Sequence, residues 1–319
     1  MRHLVVVNPK SFAKESAMAA VISGICSYFE RSALGDFAVY VSRYPRDAIS
    51  VVNEHVCSGA DTVRVYSVGG DGILYDCLNG IVGLANAELA VIPYGTSNDF
   101  VRSFGEGRQS LFRDIAKQAC GPVIPTDVIR IGSRYVLNFC CVGVEAASIR
   151  KYYEISRRHP FVAKKLGKSL YMAAVPVAVM DKRFVEQNYE LVVDGRAFGG
   201  TFMGIGIANG SCYGGTRVPF PMAHPADGCL DVMTLMAKVN PRLFLLIDEY
   251  TRGRYYKYPD AFRHFRAKEV VISSDLPMQA NADGESFYAS RIEAAVIPGA
   301  VKIVAPDGIA YLRRRPYDV

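Results

Sequence analysis

Two short polar runs, Gly69-Gly70-Asp71-Gly72 and Gly95-Thr96-Ser97-Asn98-Asp99-Phe100, each follow directly on an apolar, strand-like segment, residues 62–68 and 89–93. In parallel α/β sheets, ligands bind outside the carboxyl ends of the strands, so this placement constrains the fold as much as the chemistry. Three glycines around one carboxylate let backbone N–H groups approach phosphate oxygens while Asp71 holds a metal or its water shell. A glycine-rich turn after a strand can equally do no more than close a tight bend. The second run adds a hydroxyl, an amide and a carboxylate at the mouth of the neighbouring strand, where a helix cap needs only one of them. Together the runs describe a crevice for nucleotide phosphates.

The surrounding segments alternate as βαβ units do. Strand-like stretches at residues 3–8, 37–42, 62–68 and 89–93 are separated by helix-period patterns. In these, Met18, Val21, Ile22, Ile25 and Phe29 recur at steps of three and four, as do Ile49, Val52 and Val56. A third helix is expected to begin at Gly72, with its positive end beside the glycine loop. Two more groups fall on the same sheet edge. Asn8-Pro9-Lys10-Ser11 reads either as a phosphate contact or as an ordinary Asn-Pro turn, and Ser42 either as a contact to base or ribose or as a surface serine.

From Gly121-Pro122 and Pro125 onward β-formers take over. Strands are expected at 127–131, 135–142, 184–193, 197–208, 230–236 and 269–273. Hairpin turns are expected at Gly132-Ser133 and Asp194-Gly195, and helical inserts at 146–180 and 242–250. The expected architecture is therefore α/β plus β: a parallel-sheet domain over residues 1–122, then a mainly β domain over 123–305. Within the second, Asn209-Gly210-Ser211-Cys212-Tyr213-Gly214-Gly215 is a turn-rich passage, and Asp227-Gly228 suits either a hard cation or an Asx turn. Asn281-Ala282-Asp283-Gly284-Glu285 also has two readings. Asp283-Gly284 suits a type I′ hairpin, and phosphoryl transfer to an alcohol needs a carboxylate such as Asp283 near the acceptor hydroxyl. Glu285 can join Asp71 around a metal.

Composition narrows the function classes. The chain has 319 residues, half of them apolar, which is enough for two cores. A formal net charge of +6 suits phosphate ligands or anionic lipid and is too small a bias for a nucleic-acid partner. The eight cysteines show no metal-ligand spacing, and Cys140-Cys141 lie inside an apolar stretch, so reduced, buried thiols are expected. The longest apolar stretch, 170–180, is interrupted by Pro176 and is about half the ~20 residues of a membrane span. Met1 leads straight into a strand-like run, so a cytoplasmic protein is expected.

In order along the chain, Asn8-Pro9-Lys10-Ser11, Gly69-Gly70-Asp71-Gly72, the run from Pro93 to Phe100, Asn138-Phe139 with Gly143, Asn209 with Tyr213-Gly214-Gly215, Asp227-Gly228 and Asp283-Gly284-Glu285 resemble the diacylglycerol kinase family. The resemblance is to the bacterial soluble lipid kinases, relatives of sphingosine and ceramide kinases, and covers nearly the whole chain. It implies an ATP-binding α/β domain to which residues 306–319 return, a β-sandwich-like lipid substrate domain, and a lipid hydroxyl as acceptor. It also implies ATP and Mg2+ as cofactors. By motif position, Asp283 matches the general base, and Asp71 and Glu285 the catalytic metal site. Asp99, Asp127 and Asp227 match a second, structural magnesium network. Asn8, Pro9, Lys10, Ser11, Ser42, Gly69, Gly70, Asp71, Gly72, Gly95, Thr96, Asn98 and Glu285 match the nucleotide-binding set.

The chain departs from the family at Ile73, where threonine is usual, at Asp76 for glutamate, at Ser97 for glycine, and at Phe12 for glycine. Two basic and aromatic stretches, residues 150–168 and 252–258, read either as surfaces for an anionic membrane or as solvated faces. The expected partner is a lipid at a membrane surface, with peripheral association and no spanning segment; a homodimer is left open. Two other readings stand beside the lipid kinase. One is a small-molecule kinase of the NAD kinase or phosphofructokinase type, and the other a nucleotide-binding regulator with weakened catalysis.

Overall fold

The computed structural model describes residues 1–159, 161, 165, 169–180, 187–214, 217–236 and 238–312. They divide into two compact units. Among the described residues, the first comprises 1–128, 224–228 and 297–312, and the second the described parts of 129–223 with 229–296.

The first unit alternates β1 (Arg2–Val7), α1 (Glu15–Ser32), β2 (Phe37–Val41), α2 (Asp47–Cys57), β3 (Val63–Gly69), α3 (Asp71–Ile81) and β4 (Ala87–Pro93). Two short helices follow, α4 (Gln109–Arg113) and α5 (Ile115–Cys120), and then β5 (Val123–Ile131). Strands β2, β1, β3 and β4 pair in that order, all parallel. β3 is buried along its whole length, as a central parallel strand covered on both faces must be, which explains its nearly unbroken apolar sequence. Val5, Tyr66, Val68, Ala90 and Ile92 form the core with Ile25 and Phe29 of α1. The charged residue on β3 is Arg64. It is 5 % exposed, pairs with Glu88 of β4 at 2.7 Å and donates to the carbonyls of Gln118 and Ala119, so its buried charge is fully partnered.

The second unit is antiparallel. It contains β6 (Arg134–Val136), β7 (Phe139–Gly143), α6 (Val144–Arg158), α7 (Ser169–Val179), β8 (Gln187–Val193), β9 (Arg196–Phe202), β10 (Gly204–Ala208) and β11 (Leu230–Leu235). Helix α8 (Pro241–Thr251) and strands β12 (Phe262–Ala267), β13 (Glu269–Ala282) and β14 (Glu285–Val304) complete it, the end of β14 passing into the first unit. β13 serves two sets of strands. Before a register break between Ser273 and Met278 it pairs with β8, and after it with β7, which continues to β10, β11 and β12. The core beneath the helices gathers Phe139, Ile149, Val175, Leu243, Ile247 and Phe262.

The expected order, parallel α/β followed by β sandwich, is the observed one, and several boundaries differ. The 135–142 segment is two strands, because Leu137 and Asn138 turn their N–H groups toward Asp283. The 197–208 segment is also two strands, β9 and β10. β12, the second half of β13 and β14 were not expected. Residues 184–186 of the expected strand at 184–193 lie outside the described residues. The compact units do not divide at 122/123: 123–128, 224–228 and 297–305 group with the first unit. Asp127 supplies the cause. Its backbone N–H donates to the Pro225 carbonyl, and its carboxylate accepts from the N–H groups of Gly228 (2.7 Å) and Gly299 (2.8 Å), tying three distant segments together.

Candidate active site

The first unit brings its glycine runs into one structure. Tyr94 and Gly95 both donate their N–H groups to the carbonyl of Gly69, and a Cβ on Gly95 would lie 2.3 Å from the Gly70 Cα. Only two glycines permit this approach of backbone to backbone. Asp71, the first residue of α3, then fastens the loops: its carboxylate accepts from the N–H groups of Asn98 at 3.0 Å and Asp99 at 2.9 Å. Burial raises its pKa, an effect that these N–H donors and the nearby Arg102 guanidinium oppose. Asn98 sits at φ 50°, and its side chain both accepts from and donates to the Gly95 backbone. Its amide is therefore spent on shaping the loop, while Thr96 is exposed at the tip.

At the same sheet edge, Asn8 accepts from the Lys10 N–H at 3.0 Å and caps the short turn Pro9–Ser11. The Ser11 hydroxyl lies 2.9 Å from where a Gly69 Cβ would be, so Ser11 and the glycine loop are adjacent. Ser42 follows β2 and donates its N–H to the Val7 carbonyl. Gly70, the N-cap of α3, offers no side chain to the first turn, whose amides suit an anion. Ile73 is 2 % exposed and packs at Gly69. Asp76 is partnered by Arg46. Phe12 stacks against Tyr94 with ring centroids 5.0 Å apart, and Arg113 lies 4.9 Å from the Tyr94 ring. Sequence reading missed Arg102 and Arg113, cations that flank the runs without belonging to either.

In the second unit Asp283 and Gly284 join β13 to β14 as a two-residue turn with φ of 44° and 92°, the type I′ signature. The Asp283 carboxylate accepts three backbone N–H groups, from Leu137 (2.9 Å), Asn138 (3.2 Å) and Phe139 (2.9 Å). Asn281 braces the turn by accepting from the Gly284 N–H at 3.0 Å, and Glu285 is half-buried beside it. Asn138 and Asn209 complete the frame: Asn138 donates to the Cys212 carbonyl and Asn209 to that of Leu137. Asp283 is thus both a hairpin residue and a fixed carboxylate, and neither sequence reading excludes the other. Of the turn-rich passage, Gly215 lies outside the described residues.

No group of three or more His, Cys, Asp or Glu suited to a metal is assembled among the described residues. Of the three carboxylates expected in a structural network, Asp99, Asp127 and Asp227, Asp127 directs its two oxygens at the N–H groups of Gly228 and Gly299. Asp71 fits a different mode. Each of its oxygens keeps a lone pair beyond its N–H bond, and magnesium is commonly bound through one or two carboxylates plus substrate phosphates. In the 252–258 cluster, Arg252 pairs with Asp248, Arg254 with Glu249, and Tyr255 is buried in the core.

A parallel-sheet unit carrying interlocked glycine loops, followed by a β-sandwich unit with a braced carboxylate, is the α/β plus β architecture of diacylglycerol kinase-like proteins. Family models agree: one for a diacylglycerol kinase catalytic domain matches residues 2–131, and one for a YegS C-terminal NAD kinase beta sandwich-like domain matches 143–305. The chain belongs to the diacylglycerol kinase family, among its lipid kinases. Similar curated proteins from Staphylococcus aureus strains JH9 and N315 carry the name "Putative lipid kinase". Each is 24 % identical over 255 residues, covering 78 % of this chain and 79 % of theirs. A solved diacylglycerol kinase of Bacillus anthracis shares the fold, with a TM-score of 0.70 at 20 % identity over 97 % of this chain and 98 % of that one. Another solved chain from that organism reaches a TM-score of 0.73 at 22 % identity, with the same coverage.

Proposed function

We propose that the protein is an ATP- and magnesium-dependent lipid kinase that transfers the γ-phosphoryl group to a lipid hydroxyl, diacylglycerol or a related lipid. The observation that carries this reading is the interlock of the two glycine loops by the Asp71 carboxylate. It presents backbone N–H groups and the start of α3 at the carboxyl edge of the parallel sheet, where nucleotide phosphates are bound.

Most of the barrier lowering in phosphoryl transfer comes from positioning and electrostatics, and the first unit is built for both. Backbone amides of residues 70–72 and 95–96, with Lys10 and Ser11, hold the phosphates, and Ser42 faces the base or ribose. Asp71 would hold magnesium together with the nucleotide, and the ion would supply neutralisation of the phosphate charge. In the second unit Asp283 takes the proton of the acceptor hydroxyl. Backbone N–H donors on both carboxylate oxygens fix the orientation of the group.

Access to lipid is by peripheral association with an anionic surface. α6 carries exposed Arg157 and Arg158, Phe161 is 78 % exposed and Met180 83 % exposed, a mix of cations and apolar side chains that suits such a surface. Residues 160, 162–164 and 166–168 of this stretch lie outside the described residues. No helix among the described residues is long and apolar enough to cross a membrane.

Labelled ATP, magnesium and a panel of diacylglycerol, other lipid extracts, NAD and sugar phosphates test the reading. Label in the organic phase is expected, and label on NAD or a sugar phosphate instead would overturn it. Asp283→Asn should lose turnover with ATP binding retained, provided near-native circular dichroism shows the hairpin frame intact; full activity in that variant removes Asp283 as the base.

A further inference from the structure

Helix α6 lies along the β13–β14 hairpin that carries Asp283, and it brings a cation and two phenols to that end of the second unit. Gln279 of β13 donates to the Ala146 carbonyl at 3.2 Å, and one helical turn on, Arg150 Nη1 donates to the Tyr288 hydroxyl of β14 at 3.0 Å. At the next turn the Tyr153 hydroxyl stands 3.4 Å from where a Cβ on Gly284 would be. Residues 146, 150 and 153 are spaced by four and three and share one helix face, so this face follows the hairpin out to the turn of the proposed base. Tyr153 and Tyr288 are exposed, and Arg150 is half-buried. Arg150 and Lys151 share one acid, Glu154, whose oxygens lie 3.6 Å from Arg150 Nε and 2.9 Å from Lys151 Nζ. Among the described residues the face therefore keeps an excess of positive charge. Alternation along β14 turns Glu285 and Phe287 to the side opposite Tyr288, where the Arg134 guanidinium lies 4.6 Å from the Phe287 ring.

A neutral acceptor needs no cation beside its hydroxyl. A guanidinium is a planar fork of N–H donors matched to phosphate oxygens, and phenols donate to the same oxygens. We propose that the acceptor carries its reacting hydroxyl and a phosphodiester on one head group, as an anionic lipid or its free head group does, with Arg150 and the Tyr153 hydroxyl holding the phosphodiester. This rests on the kinase reading and names the substrate class for it. In the transfer the acceptor oxygen bonds to the γ-phosphorus of ATP and the bond from that phosphorus to the β–γ bridging oxygen breaks. ADP leaves with the electron pair, and the hydroxyl proton passes to Asp283. Tyr288 is a positioning residue, since it acts by holding Arg150.

The full-length protein is assayed with labelled ATP and magnesium against acceptors at equal, low mole fraction in uncharged detergent micelles. They are phosphatidylglycerol, diacylglycerol alone, and diacylglycerol with an equal amount of phosphatidylmethanol, which supplies the same charge and no hydroxyl. Glycerophosphoglycerol, the head group without acyl chains, is a soluble arm. The kcat/KM for phosphatidylglycerol is expected to exceed that for diacylglycerol, with or without phosphatidylmethanol, by about 10-fold or more. Arg150→Gln should bring the ratio close to one by raising KM for phosphatidylglycerol, Arg150→Lys should recover part of it, and Tyr288→Phe should lower it without raising KM for ATP. Equal use of diacylglycerol overturns the proposal and leaves the kinase reading standing. So does diacylglycerol reaching the phosphatidylglycerol rate once phosphatidylmethanol is present, because surface charge then suffices. Use of glycerophosphoglycerol at the phosphatidylglycerol rate supports the phosphate contact and assigns its source to a soluble head group. Label in none of the acceptors overturns the kinase reading together with the proposal. If the variants fail to fold, the wild-type ratio decides alone.

Discussion

Asp71 carries two tasks whose loss should be separable by measurement. Its carboxylate holds the 98–99 backbone through two N–H bonds, and its remaining lone pairs are the proposed contact to phosphate-bound magnesium. Asparagine keeps one acceptor oxygen and turns an NH2 group toward an N–H donor, so Asp71→Asn should lose about 1.5–3 kcal/mol at one of the two bonds. The expected kinetic signature is a KM for ATP raised about 10-fold or more, together with a fall in kcat. An unchanged KM would show that the loops hold their shape without the carboxylate. Glu145 gives a prediction of another kind. Its folded pKa is raised from 4.5 to about 7 by desolvation, against opposing hydrogen bonds from Tyr213 and Tyr250. Below pH 4.5 the group is protonated whether the chain is folded or not and adds no pH dependence. Between pH 4.5 and 7 the unfolded chain gives up the proton while the folded one keeps it, so stability falls as pH rises, by roughly 3 kcal/mol. Urea unfolding at pH 5 and pH 8 should show this slope in the wild type, and it should be flattened by that amount in Glu145→Gln.

At the level of elements, the junction of the two glycine loops has no tolerance for a side chain. A Cβ on Gly95 meets backbone, not the end of a flexible side chain, so Gly95→Ala must push the 95–99 loop off the 69–72 loop. Loss of nucleotide binding, measured by calorimetry with an ATP analogue, is expected with β3 and β4 still paired; wild-type affinity in the alanine variant would refute the interlock. These loops were legible in the sequence because their chemistry is local: glycine, a carboxylate and an apolar run before each are contiguous signals. The braces on Asp283 were not, since Leu137, Asn138 and Phe139 lie some 145 positions away and act through main-chain N–H groups that no side-chain pattern reveals. The same reason hid the break in the 135–142 segment. Strand β12 escaped notice because its residues, Phe-Arg-His-Phe-Arg-Ala, alternate too weakly to mark a buried face.

For the whole molecule, the chain's path is set by long returns, and Asp127 is where one of them is fastened. Segments 123–128, 224–228 and 297–305 come from three parts of the sequence, and the Asp127 carboxylate joins them through the N–H groups of Gly228 and Gly299. The end of the described chain is held nearby in the sequence of contacts: Tyr311 bonds the Thr126 hydroxyl at 2.6 Å and packs 4.4 Å from Phe104, and Leu312 donates its N–H to the Ser103 carbonyl. Residues 306–312 thus belong with the parallel-sheet unit, while 313–319 lie outside the described residues. Removing the Asp127 carboxylate leaves two N–H donors without their acceptor, a loss of about 3 kcal/mol or more. Because the bonds tie segments to one unit, the loss should appear as local opening before it appears as global unfolding. Hydrogen exchange of Asp127→Ala should therefore show the Gly228 and Gly299 amides exchanging about 100-fold faster, with the β10 and β11 amides of the second unit unchanged. Uniform acceleration across both units would mean that Asp127 supports general stability, and unchanged exchange at Gly228 and Gly299 would mean that other contacts hold the returns.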